Sequence, residues 1–367
     1  MELPRTVQTR ERAMDRAERL QALHDAVRER ILVLDGSWGV LLQAKGLTEA
    51  EYRGERFADH SLPVQNNPDL LNLTQPDIVR EVHDQYAEAG ADIATTNTFT
   101  ATSVSQIDYE LQDACYDMNF AGAALARERA DEWTERTPEK PRWVSGSLGP
   151  TNKTTSVPTD VNNPGLRAIE FDELVVSYRE AVRGLIDGGV DLLLVETIFD
   201  TLNAKAAIVA VQEVLDELGI EVPLMLSWTA TDLAGRNLSG QTIEAFWNSV
   251  RHAQPFSIGL NCSFGAADLR PHVLELARIA DVPISAHPNA GLPNELGEFE
   301  ETAEITSGQL GEWATAGLVN IVGGCCGTTP EHVRQIAAAV AEQSPRPIPV
   351  IEPRMRLAGI DPFEVVA

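Results

Sequence analysis

Eight short apolar runs, separated by helical patterns, constrain this chain more than any other feature of its sequence. They occupy residues 31–36, 91–99, 142–148, 190–197, 223–229, 256–262, 283–287 and 318–323. The runs are mostly aliphatic or β-branched, as strands covered on both faces must be. Helical patterns lie between them, at 77–89, 172–187, 201–218, 241–253, 267–280, 307–316 and 330–341. Several stop at glycine, as at Gly90, Gly188-Gly189 and Gly219, because glycine easily takes the left-handed conformation that ends a helix. Strand and helix in repeated alternation predict an α/β fold, a (β/α)8 TIM barrel. A doubly wound open sheet is the competing architecture. It would carry a glycine-rich phosphate loop after its first strand, and Asp35-Gly36-Ser37-Trp38-Gly39 lacks that spacing.

The flanks read differently. Residues 1–30 mix charges with Leu20, Leu23 and Val27, which predicts an amphipathic leader helix packed on a barrel spanning 31–344. That leader has no apolar stretch of the signal-peptide kind. No run reaches the roughly 18 apolar residues of a membrane span, so no membrane partner is expected. Residues 47–75 form an insertion expected to cover part of the barrel mouth. Residues 345–367, with Pro345, Pro347, Pro349 and Pro353, read as a C-terminal linker or tail. The formal charge of -26 repels phosphate backbones and argues against nucleic acid as a partner. Four cysteines are too few for a disulfide scaffold in a chain of 367 residues. With the missing signal, they point to a reducing, cytoplasmic setting, where clustered cysteines serve metals or catalysis.

In a barrel of this kind, functional groups sit where strands end and βα loops begin. The first run ends in Asp35-Gly36, the fourth in Glu196-Thr197 and the sixth in Asn261-Cys262-Ser263. The eighth ends in Gly323-Gly324-Cys325-Cys326-Gly327. One strand separates the sixth from the eighth, so Cys262, Cys325 and Cys326 face the same end and can converge on one ion. Soft thiolates select zinc, and three protein ligands leave a fourth position open, as in catalytic sites. Cys115, inside a helical pattern, reads as a small buried hydrophobe. A thiolate-rich zinc suits alkylation of a substrate thiol. The metal lowers the thiol pKa and fixes the sulfur, while three anionic ligands leave it nucleophilic. Asp35 and Glu196 fit a substrate ammonium, with backbone capping as the alternative. The loop from Gly146 through Ser147 to Asn152 offers N–H groups to a carboxylate, or is a plain turn. Asn97 can bond ligand or loop. Asn289 closes the seventh strand, between the two cysteine-bearing strands, where it can reach the metal or form a turn.

These residues sit within longer motifs. They include Tyr52-Arg53-Gly54-Glu55-Arg56-Phe57, Thr96-Asn97-Thr98-Phe99, Leu148-Gly149-Pro150-Thr151-Asn152 and Val195-Glu196-Thr197. Phe199-Asp200-Thr201-Leu202-Asn203-Ala204-Lys205, Leu238-Ser239-Gly240-Gln241-Thr242, Gly259-Leu260-Asn261-Cys262 and Gly323-Gly324-Cys325-Cys326-Gly327-Thr328-Thr329-Pro330 complete the set. From about residue 31 onward the chain resembles the homocysteine-binding module at the N-terminus of cobalamin-dependent methionine synthase. The resemblance implies a barrel with zinc on Cys262, Cys325 and Cys326. It implies L-homocysteine held partly by Asp35 and Glu196, and Asn289 as zinc's fourth ligand before substrate arrives. It also implies methylcobalamin as the methyl donor, carried by a partner domain or subunit. Two positions depart from the family pattern: Thr95 stands where Glu is usual, and Trp38 where Met is usual. Such synthases continue into folate-binding, cobalamin and reactivation domains. Cobalamin-binding and folate-binding domains or subunits are therefore the expected partners, whether this chain is a stand-alone subunit or an excised fragment. Two other readings compete: a related barrel that takes its methyl group from betaine or S-methylmethionine, and a non-catalytic zinc-binding scaffold module.

Overall fold

The computed structural model describes residues 14–232 and 234–365. Its strands are β1 Leu32–Val33, β2 Ile93–Thr95, β3 Trp143–Leu148, β4 Leu192–Ile198, β5 Leu224–Trp228, β6 Ser257–Gly265, β7 Ile284–Asn289 and β8 Ile321–Val322. They form one parallel sheet in the order β1-β8-β7-β6-β5-β4-β3-β2. The ring closes where Leu34 bridges Ile93 and the Asp35 N–H donates to the Ile93 carbonyl at 3.1 Å. The helices Pro76–Ala89, Cys115–Arg136, Phe171–Asp187, Thr201–Leu218, Ile243–Val250, Ala266–Ile279, Ala303–Thr315 and Pro330–Val340 follow the eight strands in turn. The fold is the expected (β/α)8 TIM barrel.

The element boundaries differ from the apolar runs for physical reasons. β1, β2 and β8 are shorter than their runs, because the residues beyond them bend early into loops at the mouth. β6 and β7 are longer, since each continues its ladder past the apolar stretch to Gly265 and Asn289. The helix Cys115–Arg136 is weakly marked in the sequence. Its buried positions include Asn119, Gly122, Ala123, Ala126 and Ala130 rather than a stripe of large apolar side chains.

Two cores hold the barrel. The larger lies between the strands and the surrounding helices. The smaller joins Leu32, Leu34, Ile93, Trp143, Leu192, Leu194, Met225 and Ile321. Alternate residues of one strand share a face, so this second set fills the lumen. The helix α1, Arg16–Glu29, adds Leu23 and Val27 to it and closes the floor of the barrel. Polar contacts fasten α1 in place. The Arg19 guanidinium donates to Asp191 at 2.7 Å, and the Trp143 indole N–H donates to the Arg19 carbonyl at 2.9 Å. Arg30 grips Asp92 through both terminal nitrogens, at 2.8 and 2.9 Å. Asp92 and Asp191 each directly precede a strand, so these bonds lie at the N-terminal rim. Residues 1–13 of the segment read as a leader lie outside the described residues.

Beyond the last barrel helix, the segment read as a linker or tail folds back on the barrel. Arg346 donates to the carbonyls of Ala277, Ala280 and Val282, at the C-terminal end of the helix Ala266–Ile279. Cations are favoured at such helix ends. The antiparallel hairpin of β9 Arg356–Ala358 and β10 Pro362–Glu364 packs against the helix Ile243–Val250. The Thr242 N–H donates to the Ile360 carbonyl at 3.1 Å.

Candidate active site

The three predicted cysteines meet at the C-terminal mouth. The Cys262 and Cys326 sulfurs lie 3.8 Å apart, and those of Cys325 and Cys326 lie 4.0 Å apart. All three sulfurs fall within 4.8 Å of one another. A tetrahedral zinc with bonds of about 2.3 Å sets its sulfurs roughly 3.8 Å apart, so the triangle has the size a zinc ion needs. Hydrogen bonds from the thiols of Cys325 and Cys326 hold Cys262 toward thiolate, far below the ordinary thiol range. The same contacts push Cys325 up. Cys326 is likewise raised by Cys262, and a bound cation would favour the deprotonated form of all three.

Backbone strain makes this geometry. Cys262 and Ser263 have φ of 61° and 62°, in the left-handed region that side chains avoid. The β6–β7 register slips between Asn261 and Gly265, which lifts Cys262 off the regular ladder. β4 repeats the device. Thr197 has φ of 54°, and the register shifts between Val195 and Ile198, beside Glu196. Fully buried Asn261 ties the two distortions together. Its amide oxygen accepts from the Thr197 N–H at 2.9 Å, and its amide nitrogen lies 3.8 Å from the Cys325 sulfur. Gly327, with φ of 80°, ends the cysteine turn, where a Cβ would lie 2.3 Å from the Phe299 side chain.

A cavity of about 260 Å³ opens beside the sulfurs. Its wall includes Asp35, Trp38, Asp69, Thr95, Asn97, Phe99, Ser147, Glu196, His287 and all three clustered cysteines. Glu196 accepts from the Ser147 hydroxyl at 2.5 Å. The N–H groups of Ser147 and Gly149, expected to be free for a carboxylate, are already bonded to Thr96 Oγ1 and the Phe99 carbonyl. Asn97 spends its amide on the Pro68 carbonyl at 2.7 Å and so pins the 47–75 insertion to the mouth. Asn289 is not part of the cavity wall but touches the cluster: its amide oxygen accepts from the Cys326 N–H at 3.1 Å, and its side chain also bonds the Cys262 sulfur. Cys115 is fully buried in its helix, away from the cluster.

Asp35 is 2 % exposed, and both its oxygens accept from Thr95, one from the N–H and one from the hydroxyl, each at 2.8 Å. The two departures from the family pattern touch each other here: the Trp38 indole N–H lies 3.3 Å from Thr95 Oγ1. Burial pushes the Asp35 carboxyl up to about 8 against the pull of the Thr95 bonds, and the Glu196 charge adds to the push. In the unfolded chain the same group has its ordinary value of 3.8. The folded state therefore loses stability as pH rises from about 4 to about 8. Asp35→Asn removes that penalty. Measured as Tm of variant minus wild type without ligand, the difference should be more positive at pH 8 than at pH 5. Thermal melts giving the same difference at both values would contradict the assignment.

Sequence reasoning did not single out His287 or Asn261. The signal was their register: the two residues pair across β6 and β7, one position before Cys262. Asp69, from the insertion, was missed because its only local mark is a Pro-Asp pair. It is fully buried and bonds the Thr100 N–H at 3.0 Å.

A (β/α)8 barrel with three converging thiols and two carboxylates at its mouth belongs to the class of barrel enzymes that can set a thiol-ligated metal beside an amino-acid-sized pocket. Residues 32–340 match the homocysteine S-methyltransferase family, and the chain belongs to it. It is thus a methyltransferase. Among solved structures it is similar to the homocysteine methyltransferase MmuM from Escherichia coli. The oxidized form is 24 % identical, covers 87 % of this chain and 98 % of that one, and has a TM-score of 0.66. The metallated form is 23 % identical, covers 87 % and 99 %, and scores 0.64. At that identity the likeness bears on the fold. Among the described residues no helix is long and apolar enough to cross a membrane.

Proposed function

We propose that this chain methylates the thiol of L-homocysteine to give methionine, with zinc on Cys262, Cys325 and Cys326 and methylcobalamin on a partner domain or subunit as donor. The observation that carries the reading is the zinc-sized sulfur triangle in the wall of a carboxylate-lined cavity. Zinc bound there supplies a Lewis acid that lowers the pKa of a substrate thiol near neutral pH. The rest falls to the chain's own side chains. The three cysteines would hold the metal through their sulfurs in the cavity wall. Glu196 takes the substrate ammonium, and the ammonium's positive charge beside buried Asp35 favours ionisation of that carboxyl. Trp38 and Phe99 help to wall the thiol off from water. In the transfer a sulfur–carbon bond forms, and the bond from methyl to donor breaks with its electron pair left on the donor.

The size of the cavity bears on the donor. At about 260 Å³ it lies below the roughly 300–1,000 Å³ of drug-sized sites. It suits an amino acid and is too small for a corrinoid, which must present its methyl group from outside. Loops around the mouth expose Phe99, Val161, Leu166, Leu238, Leu292 and Leu296, with Val161 and Leu296 at 96 % and 82 %. The test compares methionine formation from homocysteine with methylcobalamin, betaine and S-methylmethionine, using zinc-loaded and zinc-stripped protein. Zinc-dependent transfer from methylcobalamin is expected. Transfer from betaine or S-methylmethionine alone would replace the donor, and undiminished transfer without zinc would end the metal reading.

A further inference from the structure

We propose that His287 is a substrate-contacting residue which, together with Glu196, seats the α-ammonium of the amino-acid thiol. The assignment rests on the preceding reading of the acceptor. His287 lies on β7, lines the cavity and is 3 % exposed. Its Nε2 is buried without any hydrogen-bond partner. Buried polar atoms are nearly always satisfied, and one left open at a binding cavity points to a ligand. The neighbour of that nitrogen is Glu196 Oε2, at 3.9 Å, too far for a bond between them. The other oxygen of Glu196 is already held by Ser147 at 2.5 Å. A ring nitrogen and a carboxylate oxygen thus face one gap, and neither bonds the other.

An ammonium fits this gap. It carries several N–H donors, so one can go to the Glu196 carboxylate and another to the Nε2 lone pair of a neutral imidazole with its proton on Nδ1. A ligand carboxylate is disfavoured there by the negative charge of Glu196, so the two ends of an amino acid are told apart at this spot. The pair also selects by chemistry. A thiol without an amine leaves both acceptors open in a dry pocket, and sites built for a hydrogen-bonding group reject analogues that lack it.

The test uses two thiols and three variants of the zinc-loaded protein. Homocysteine is compared with 4-mercaptobutanoate, which has the same chain and carboxylate but no amine. Wild type should prefer homocysteine clearly. His287→Phe should lose about tenfold or more in homocysteine affinity and nothing toward 4-mercaptobutanoate. Glu196→Gln should show the same selective loss. His287→Gln, whose side-chain amide can offer an acceptor near the Nε2 position, should recover much of the preference. Zinc content, measured on each sample, should stay at the wild-type level. Equal losses for both thiols would overturn the proposal in favour of a packing role, and so would an unchanged preference, which leaves only a water in the gap. Loss of zinc in both His287 variants would also overturn it, making the ring a support for the metal. A wild-type protein that binds neither thiol would overturn the acceptor reading itself, and this assignment with it.

Discussion

Cys325→Ala should strip the chain of zinc and of methionine formation while leaving the barrel folded. The cysteine turn lies outside both hydrophobic cores, so its sulfur adds nothing to the packing that holds the strands. In the proposed zinc site it is central to the metal. Its sulfur lies 4.0 Å from that of Cys326 and is backed by the amide of Asn261. Mutating groups that merely orient a ligand costs about 10–100-fold in metal affinity or activity, and loss of a ligand itself costs more. Zinc should fall from about one ion per chain to near none. Elemental analysis after gel filtration measures this, and a thermal melt on the same sample reports the fold. Zinc retained in full by Cys325→Ala would remove this residue from the metal site. A collapsed melt would mean that the turn supports the barrel after all.

Gly259→Ala should have the opposite signature, a damaged fold. Gly259 pairs with Ser285 across β6 and β7. A Cβ there would lie 1.9 Å from the Ser285 carbonyl oxygen and 2.2 Å from its hydroxyl. The obstacle includes backbone, so a rotamer change cannot relieve it, and the two strands must part. Overpacking of this severity costs about 3 kcal/mol or more, and in a large domain each kcal/mol lowers Tm by roughly 2–4 °C. The same β6–β7 pairing carries Cys262 and Asn289, so metal binding should weaken as well. Gly308→Ala is the matched control. Gly308 lies within the helix Ala303–Thr315 with open space around its Cβ position, and alanine there should stabilise by about 0.5–1 kcal/mol. Comparable melts for the two variants would show that the close strand approach does not matter.

How far the sequence foretold this molecule varies with the range of the interaction. The strands were visible because each is a local apolar run, and the cysteines could be placed at one mouth because barrel topology turns strand order into position. Asp35 and Glu196 followed by the same reasoning. What escaped were relations between distant residues. Nothing in the Gly146–Asn152 loop shows that Thr96 and Phe99 have already taken its amides. The contact of Trp38 with Thr95 joins residues 57 positions apart. The left-handed turn at Cys262 follows from a register slip against β7, which only the assembled sheet displays. The place of α1 at the floor depends on partners such as Asp191, 172 positions from Arg19. Amphipathic spacing announces a helix but not the surface it will cover.

That floor governs the order of events. Among the described residues, α1 seals the N-terminal rim, and the sulfurs open toward the mouth. On the proposed reading the acceptor binds at the bottom of this blind well, and a donor too large to enter stands across its opening. A donor seated first would block the acceptor's route. On the proposed reading, turnover follows a compulsory sequence, homocysteine on before donor and methionine off after the spent donor leaves. In steady-state kinetics, a dead-end analogue of the donor should inhibit uncompetitively against homocysteine. A homocysteine analogue should inhibit competitively against homocysteine and noncompetitively against the donor.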